Sequence, residues 1–279
     1  MKNSKLTLLC VLVCSFAFAD VSQSEKDALV ALYNSTNGPA WHNTWDMEQP
    51  VSRWYGVTVE HNKVVALNLM FNGLEGYLPE DLSGLSSLRI LNLGFNQIEG
   101  KLPNALYRMI NLEVLKLFSN QIKDSITQDI GNLVNLKYLE LYNNNLFGEI
   151  PQSIGNLVHL ESLNLSSNKL EGKLPQNISH LKSLRVLSVF DNQLIGGIPA
   201  SLCNLVELEE LVLANNAFYG QLPNELIQLT NLKTLLLSNN DFKGDYRFLK
   251  EKLPNIINFD LDVADTKSRL VTLDEEEDN

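Results

Sequence analysis

Cysteine, basic side chains and long apolar runs are all scarce in this chain of 279 residues. Two of its three cysteines fall within the first 14 residues, so only Cys203 remains in the body of the chain. A single cysteine cannot form an intramolecular disulfide, and the fold must therefore be held together by packing. After the first 19 residues no apolar run approaches the ~20 residues that a membrane-spanning helix needs. The sequence predicts a domain without internal disulfides or membrane spans.

Residues 1–19 have the organisation of an export signal. Two lysines precede an apolar run from Leu6 to Phe18, which ends in Ala-Phe-Ala ahead of a cleavage point before Asp20. The run is short for a membrane span, so an uncleaved anchor is the weaker alternative. We expect a cleaved signal peptide and a secreted, periplasmic or cell-surface protein without membrane insertion.

The charge balance limits the partners of the exported chain. Removal of residues 1–19 leaves 20 basic against 33 acidic side chains, a net charge of −13. Such a field repels phosphate groups. Nucleic acid and anionic membranes are therefore excluded as expected partners.

A repeat of 24 residues dominates residues 64–255. One unit begins Leu-Arg-Ile-Leu-Asn-Leu-Gly-Phe-Asn-Gln-Ile at Leu88, which fits the pattern L-x-x-L-x-L-x-x-N-x-L of the leucine-rich repeat. A degraded ninth unit starts at Ile256. The eight regular units, numbered one to eight below, begin at Val64, Leu88, Leu112, Leu136, Leu160, Leu184, Leu208 and Leu232.

The repeat predicts an α/β solenoid. Leucines at the fourth and sixth positions of a unit, such as Leu91 and Leu93, point to one side of a short strand. Strands of successive units then pair in parallel and bury these leucines in a continuous core that no single unit forms alone. We expect a right-handed superhelix with a parallel sheet on its concave face and helical segments on its convex side.

Asparagine occupies the ninth position of every regular unit. A buried amide at this bend can hydrogen-bond to the backbone of adjacent turns and satisfy peptide groups that the bend leaves unpaired. The sequence therefore predicts a structural asparagine ladder, formed by Asn72, Asn96, Asn120, Asn144, Asn168, Asn192, Asn216 and Asn240.

The second half of six units carries Gly-x-Ile/Leu-Pro, as in Gly148-Glu149-Ile150-Pro151. With this addition, residues 64 to about 255 resemble the plant-type leucine-rich repeats of receptor-kinase ectodomains and polygalacturonase-inhibiting proteins.

Two units depart from the pattern. Unit three has Asp124 and Thr127 in place of Gly and Pro, and unit eight has Tyr246 and Arg247. We interpret these departures as sequence drift.

Both ends of the repeat array need a cap. In residues 20–63, Ser22 and Glu25 form a predicted helix capping box, and an apolar helix face follows. Three tryptophans, Trp41, Trp45 and Trp54, are expected to plug the first end of the core. The resembled family often carries a cysteine pair here, but this chain has Ser52 and Val59 instead.

The C-terminal cap and an acidic tail occupy residues 256–279, and the tail from Asp274 to Asp278 is expected to be solvated. Apolar residues on both sides of residue 256 are predicted to seal the last unit: Phe248, Leu249, Leu253, Ile256, Ile257, Phe259 and Leu261.

Residues that flank the buried leucines face outward on the concave sheet, where a partner is recognised. At the second position the charge alternates in sign from Arg89 to Lys233, which indicates a ladder that holds register. Aromatic side chains cluster at the seventh and eighth positions, with polar groups between them. We expect a binding face there, although the alternative is that the aromatics only pack on one another. The candidates are Met70, Phe71, Phe95, Lys116, Phe118, Tyr138, Glu140, Tyr142, Asn143, Phe190 and Asp191.

No pattern in the sequence indicates catalysis. The four histidines lack metal-ligand spacing, and no phosphate-binding glycine loop or nucleophile elbow occurs. A β-helix polysaccharide-active enzyme is the remaining catalytic alternative, but Glu140 and Asp191 lie two units apart and in different columns. We predict no catalytic residues, no metal site and no cofactor.

The predicted function is recognition of an extracellular protein or an oligosaccharide. The resemblance also allows an inhibitor of a secreted polysaccharide-degrading enzyme, and a passive surface or matrix protein is the remaining alternative. Glycosylation sequons occur at Asn34, Asn164 and Asn177. A glycan on Asn164 would obstruct the middle of the predicted face, which favours a host that does not glycosylate it.

Overall fold

The structure is a computed structural model, and it describes residues 21–261. The predicted signal peptide at residues 1–19 and the acidic tail from Asp274 to Asp278 lie outside these residues.

Helix α1 (Gln23–Ser35) opens the N-terminal cap and begins with the predicted capping box. The Glu25 backbone N–H donates to Ser22 Oγ at 3.4 Å, and the Ser22 N–H donates to Glu25 Oε2 at 3.1 Å. Glu25 is buried, and its Oε1 also accepts from the backbone N–H of Val64 at 3.0 Å. This carboxylate therefore joins the cap helix to the first repeat.

Eighteen strands lie within residues 21–261. In chain order they are β1 (Val57–Glu60), β2 (Lys63–Asn68), β3 (Glu75–Tyr77), β4 (Ile90–Asn92), β5 (Gln97–Gly100), β6 (Val114–Lys116), β7 (Gln121–Ile122), β8 (Tyr138–Glu140), β9 (Phe147–Glu149), β10 (Ser162–Asn164), β11 (Lys169–Gly172), β12 (Val186–Ser188), β13 (Gln193–Gly196), β14 (Glu210–Val212), β15 (Ala217–Gly220), β16 (Thr234–Leu236), β17 (Asp241–Phe242) and β18 (Asn258–Asp260).

Ten of these strands form the concave sheet, in the order β1-β2-β4-β6-β8-β10-β12-β14-β16-β18. Strand β1 is antiparallel to β2, and every later pair is parallel. Equivalent positions of neighbouring units stand in register, so Leu91 pairs with Leu115 and Leu115 with Leu139. Strand β18 shows that the degraded ninth unit still extends the sheet.

The second halves of the units form two smaller parallel sheets, which were not predicted from the sequence. One has the order β3-β5-β7 and the other runs from β9 to β17. The break between them falls at unit three, where Asp124 replaces a glycine. At the matching positions of units two and four, Gly100 and Gly148 adopt φ of +77° and +76°, a conformation that glycine adopts with little strain.

Short helical turns follow these strands on the convex side. They are 3₁₀ helices, and together with two in the N-terminal cap they span Gly38–Ala40, Val51–Arg53, Glu80–Gly84, Leu106–Arg108, Gln128–Asn132, Gln152–Asn156, Gln176–His180, Ala200–Asn204 and Asn224–Gln228. One α-helical turn, α2 (Leu249–Lys252), replaces them near the C-terminal end.

The asparagine amides bridge neighbouring turns through hydrogen bonds to the backbone. Asn144 is representative: its Nδ2 donates to the carbonyls of Leu117 at 2.9 Å and Leu141 at 3.1 Å, while its Oδ1 accepts from the Ile122 N–H at 3.1 Å. Three of the eight, Asn72, Asn120 and Asn144, are buried, and the others are half-buried.

The two departures from the repeat pattern also satisfy backbone groups, so drift alone does not describe them. Asp124 Oδ2 accepts from the backbone N–H of Leu102 at 3.0 Å. Tyr246 Oη accepts from the N–H of Leu222 at 2.9 Å and donates to the Lys243 carbonyl at 2.7 Å. In each case a side chain reaches back one unit to a group of the preceding turn.

The tryptophans close the first end of the core, as predicted. All three are buried, and Trp45 packs against Trp41 with ring centroids 4.9 Å apart and against Trp54 at 4.7 Å. Their indole N–H groups donate to the backbone carbonyls of Thr36, Tyr55 and Gln49.

The C-terminal seal is smaller than predicted. Leu249 and Leu253 are buried, and Ile256, Phe259 and Leu261 pack partly buried against the core. The prediction is wrong for Phe248, which is exposed, and for Ile257, which is 76% exposed. Ile257 occupies the second position of the ninth unit, which in units two to eight holds charged side chains that are half-buried or exposed.

Candidate functional site

The residue at the eighth position of each regular unit has a left-handed backbone. Its φ lies between +51° and +57° where the chain leaves the concave sheet. Short polar residues adopt this conformation most readily, whereas bulky side chains make it unfavourable by ~1–2 kcal/mol. Six units place serine, asparagine or aspartate there, but units one and two place Phe71 and Phe95.

Neither burial nor backbone preference explains these two phenylalanines. Phe71 is 68% exposed and Phe95 is 49% exposed, and Met70 beside them is 43% exposed. Large apolar side chains that are both exposed and locally strained make this surface a candidate contact site for a partner.

A continuous row of rings extends from the N-terminal cap to unit four. The ring of Phe71 lies 6.1 Å from His42 and 6.5 Å from Phe95, and Phe95 meets Phe118 edge-on at 5.1 Å. Phe118 then stacks on Tyr142, with centroids 4.6 Å apart and ring planes within 6°. We call Phe71, Phe95, Phe118 and Tyr142, together with the neighbouring apolar side chain of Met70, the aromatic row.

Phe118 is not an exposed contact residue, so that prediction is wrong. It is only 6% exposed because it is packed between Phe95 and Tyr142 and its ring lies over Gly94. A Cβ on Gly94 would stand 2.5 Å from Phe118 Cζ. Tyr142 is half-buried, and burial together with the charge of Glu140 raises the pKa of its phenol. These two rings support the exposed end of the row.

Three polar candidates next to the row contact one another, and one of them also hydrogen-bonds to the neighbouring Glu161. Lys116 Nζ lies 3.0 Å from Glu140 Oε1 and 5.8 Å from the centroid of the Tyr138 ring. The Tyr138 hydroxyl donates to Glu161 Oε2 at 2.8 Å, which raises the pKa of Tyr138. Lys116, Tyr138 and Glu140 thus form one half-buried network.

Asn143 lies beside this network at the exposed eighth position, and its amide donates to Ser119 Oγ at 3.2 Å. Phe190 and Asp191 stand apart from the aromatic row. Phe190 is half-buried and Asp191 is exposed, and unit five separates both from Tyr142.

Unit five contributes small polar residues that were not predicted as site residues. Ser166 Oγ lies 2.7 Å from Ser188 Oγ of the next unit, and the Ser166 N–H donates to Asn164 Oδ1 at 3.1 Å. Their position in the repeat could have identified them as site residues. Asn164 and Ser188 occupy the fifth position and Ser166 the seventh, and these positions carry charges or rings in other units.

The alternating charges at the second position form ion pairs between units. Lys137 Nζ lies 2.7 Å from Glu113 Oε2, and Glu209 accepts from both Arg185 and Lys233. Hydrogen bonds from Lys233 and Arg185 lower the pKa of Glu209. This row borders a shallow lateral groove of about 550 Å³, whose lining includes Asn111, Asn135 and His159.

Among residues 21–261, no group of three or more His, Cys, Asp or Glu side chains is arranged to hold a metal ion. Cys203 is buried, and burial followed by the charge of Glu225 raises the pKa of its thiol to about 11. Within residues 21–261, every helix falls short of the length and apolar character that a membrane span requires.

Two family models of the leucine-rich repeat match the sequence. The model described as leucine-rich repeat region matches residues 107–258, and a second leucine-rich-repeat model matches residues 62–122. No curated protein matches the sequence significantly.

Several solved structures are similar over most of the chain. The PEPR1–AtPEP1 structure shares 33% identity at a TM-score of 0.79, over 86% of this chain and 35% of that one. The ectodomain of the receptor kinase GASSHO1/SCHENGEN3 from Arabidopsis thaliana, with CASPARIAN STRIP INTEGRITY FACTOR 2, shares 32% identity at 0.70, over 82% and 31%. The Arabidopsis receptor kinase HAESA with a peptide hormone ligand shares 25% identity at 0.70, over 83% and 44%. This chain therefore spans about a third to under half of their length.

Proposed function

Because the chain belongs to the leucine-rich-repeat family, we propose that it is an extracellular recognition protein that binds an extended polypeptide segment along its concave sheet. The contact centres on the exposed end of the aromatic row, at Met70, Phe71 and Phe95. The observation that carries the proposal is the presence of two exposed phenylalanines in a left-handed backbone conformation, where the other six units use small polar residues.

The dimensions of the row suit an extended chain. From unit one to unit four the row covers three strand intervals of about 4.8 Å, or roughly 14 Å. An extended polypeptide rises about 3.3 Å per residue, so four to five residues of a ligand would span it. Aromatic side chains are enriched among the few interface residues whose truncation costs ~2 kcal/mol or more.

The similar structures favour a polypeptide ligand over an oligosaccharide. HAESA is in complex with a peptide hormone, and PEPR1 and GASSHO1/SCHENGEN3 are paired with AtPEP1 and CASPARIAN STRIP INTEGRITY FACTOR 2. Export through a signal at residues 1–19 is part of the proposal. Oligosaccharide binding and inhibition of a polysaccharide-degrading enzyme are competing outcomes of the test.

A random peptide library tests the proposal, because selection from it requires no chosen ligand. The immobilised protein is panned against random 12-residue peptides, and a glycan array is probed in parallel. We expect enriched peptides whose affinity falls at least tenfold for Phe71→Asn and for Phe95→Asn. Phe147→Asn is the matched control, because Phe147 is also an exposed phenylalanine, 46% exposed against 49% for Phe95 and 68% for Phe71, but lies on β9, outside the concave sheet.

Three outcomes would overturn the proposal. The first is that no peptide is enriched, and the second is binding to glycans alone. The third is enrichment of the same peptides, at the same affinity, by Phe71→Asn and by the unmodified protein.

A further inference from the structure

The ring stack at the seventh position is interrupted by one residue. Phe118 and Tyr142 stack face to face at 4.6 Å, close to the strand spacing of about 4.8 Å, so neighbouring seventh positions hold rings at stacking distance. The next seventh position is Ser166, and the one after it is Phe190. The sheet therefore presents ring, serine and ring at consecutive intervals.

The interruption has the width of one ring. Two strand intervals separate Tyr142 from Phe190, or about 9.6 Å along the sheet. Aromatic pairs are favourable at centroid separations of 4.5–7 Å, so one planar ring midway would contact both neighbours. Parallel pairing of β8, β10 and β12 fixes the spacing of the two walls.

The other interruption of this kind is filled by the protein itself. Gly94 leaves a gap between Met70 and Phe118, and the Phe118 ring lies over it. Farther along, Ala214 and Ser238 also lack rings, but no ring lies beyond them at the seventh position of a regular unit. The Ser166 position thus has ring-bearing seventh positions, Tyr142 and Phe190, on both sides, and its own side chain and that of Ser188 are small.

The floor of the gap is polar. Ser166 Oγ and Ser188 Oγ are hydrogen-bonded to each other, and Ser188 is only 8% exposed. One hydroxyl of such a pair donates to the other, which leaves one further O–H and lone pairs for a ligand. Asn164 Oδ1 accepts a hydrogen bond from the Ser166 N–H, and the Nδ2 group of Asn164 is a further donor beside the two serines. A ring that carries a hydroxyl group matches this floor better than a purely apolar ring.

We propose that the gap between Tyr142 and Phe190 is a side-chain subsite that takes a tyrosine of the bound polypeptide. This inference rests on the proposed function and specifies its ligand. The ligand ring completes the stack, while its phenol exchanges hydrogen bonds with Ser166 and Ser188. The ligand then has apolar residues facing Phe71 and Phe95, and a tyrosine three strand intervals beyond Phe95 and four beyond Phe71.

Filling the gap from within tests the subsite. Peptides selected on the unmodified protein are measured against Ser166→Phe, which supplies the missing ring, and against Ser166→Ala, which keeps the gap open. We expect a tyrosine at one fixed position of the selected peptides. Ser166→Phe should weaken their binding at least tenfold, and peptides selected on it should lack the aromatic preference. Ser166→Ala should bind within about threefold but shift the preference from tyrosine to phenylalanine. Thermal unfolding of each variant verifies that it is folded.

The outcomes separate the two proposals. If the selected peptides depend on Phe71 but carry no aromatic residue at a fixed position, the subsite is refuted and the binding face stands. The same holds if Ser166→Phe, while folded, binds them as tightly as the unmodified protein. If no peptide depends on Phe71, the proposed function fails and the subsite fails with it.

Discussion

The asparagine ladder makes a prediction that needs no ligand. Replacing Asn144 with alanine removes an amide that donates to the Leu117 and Leu141 carbonyls and accepts from the Ile122 N–H. Alanine cannot replace these bonds, and Asn144 is 8% exposed, so water reaches the site poorly. A buried group left without a partner costs ~1–3 kcal/mol, and here at least one donor and one acceptor lose theirs. We expect a loss of about 3 kcal/mol in the free energy of unfolding.

Thermal unfolding followed by circular dichroism is the assay. For a domain of this size, 1 kcal/mol shifts the Tm by about 2–4 °C, so Asn144→Ala should melt about 6–12 °C lower. The control is Asn145→Ala. The Asn145 side chain is half-exposed, and the contact of this residue with unit three is a backbone N–H donated to the Ile122 carbonyl, which alanine preserves. Equal Tm values for the two variants would refute the role assigned to the ladder.

Three further predictions concern stability and reactivity. Phe118→Ala should destabilise the fold by ~3–5 kcal/mol, because it removes a buried ring, and a Tm within 2 °C of the unmodified protein would contradict its supporting role. Burial alone would raise the pKa of Glu25, but hydrogen bonds from Ser22 and the Val64 N–H and the charge of Lys63 outweigh it and lower the pKa. The stabilising effect of this carboxylate is therefore complete above the pKa of the unfolded state, about 4.3, and is lost as the pH falls through the lower pKa of the folded state. The Tm of Glu25→Gln should lie below that of the unmodified protein at pH 7, and this deficit should shrink below about pH 4. A deficit that stays constant from pH 7 to pH 3 would contradict this. Cys203, with its buried thiol and a pKa of about 11, should react with a bulky thiol reagent only upon unfolding, and rapid labelling of the native protein would show that the thiol is accessible.

The repeat itself could be predicted from the sequence because its determinants recur every 24 residues. The solenoid, its parallel sheet and its likeness to plant receptor-kinase ectodomains are confirmed. Membership of the leucine-rich-repeat family also removes the β-helix fold on which the catalytic alternative depended. Capping by Ser22 and Glu25 was predictable for a different reason, because it depends only on two residues three apart in the sequence.

Contacts between units were harder to predict. Whether Phe118 is exposed depends on Gly94, which lies one unit away and has no side chain to hold the ring off. The roles of Asp124 and Tyr246 likewise depend on backbone N–H groups 22 to 24 residues earlier. The two smaller sheets consist of strands of two to four residues, which is too short to produce a periodic pattern.

The left-handed backbone conformation of Phe71 was also not predicted from the sequence. This conformation allows an experiment to separate the effect of Phe71 on binding from its effect on stability. At 68% exposure the side chain buries about a third of roughly 200 Å², which contributes ~1.6 kcal/mol at 25 cal/mol per Å². Replacement by asparagine relieves a backbone conformation that is unfavourable by ~1–2 kcal/mol for a bulky residue. The two effects nearly cancel, so Phe71→Asn should melt within about 3 °C of the unmodified protein.

The affinity of Phe71→Asn for a peptide selected on the unmodified protein, measured beside Phe147→Asn, tests the proposed binding face most directly. We predict at least a tenfold loss for Phe71→Asn at an almost unchanged Tm, and no loss for Phe147→Asn. Equal affinities for the two variants would contradict the binding face, and so would a loss of affinity for Phe71→Asn that is matched by a large drop in its Tm.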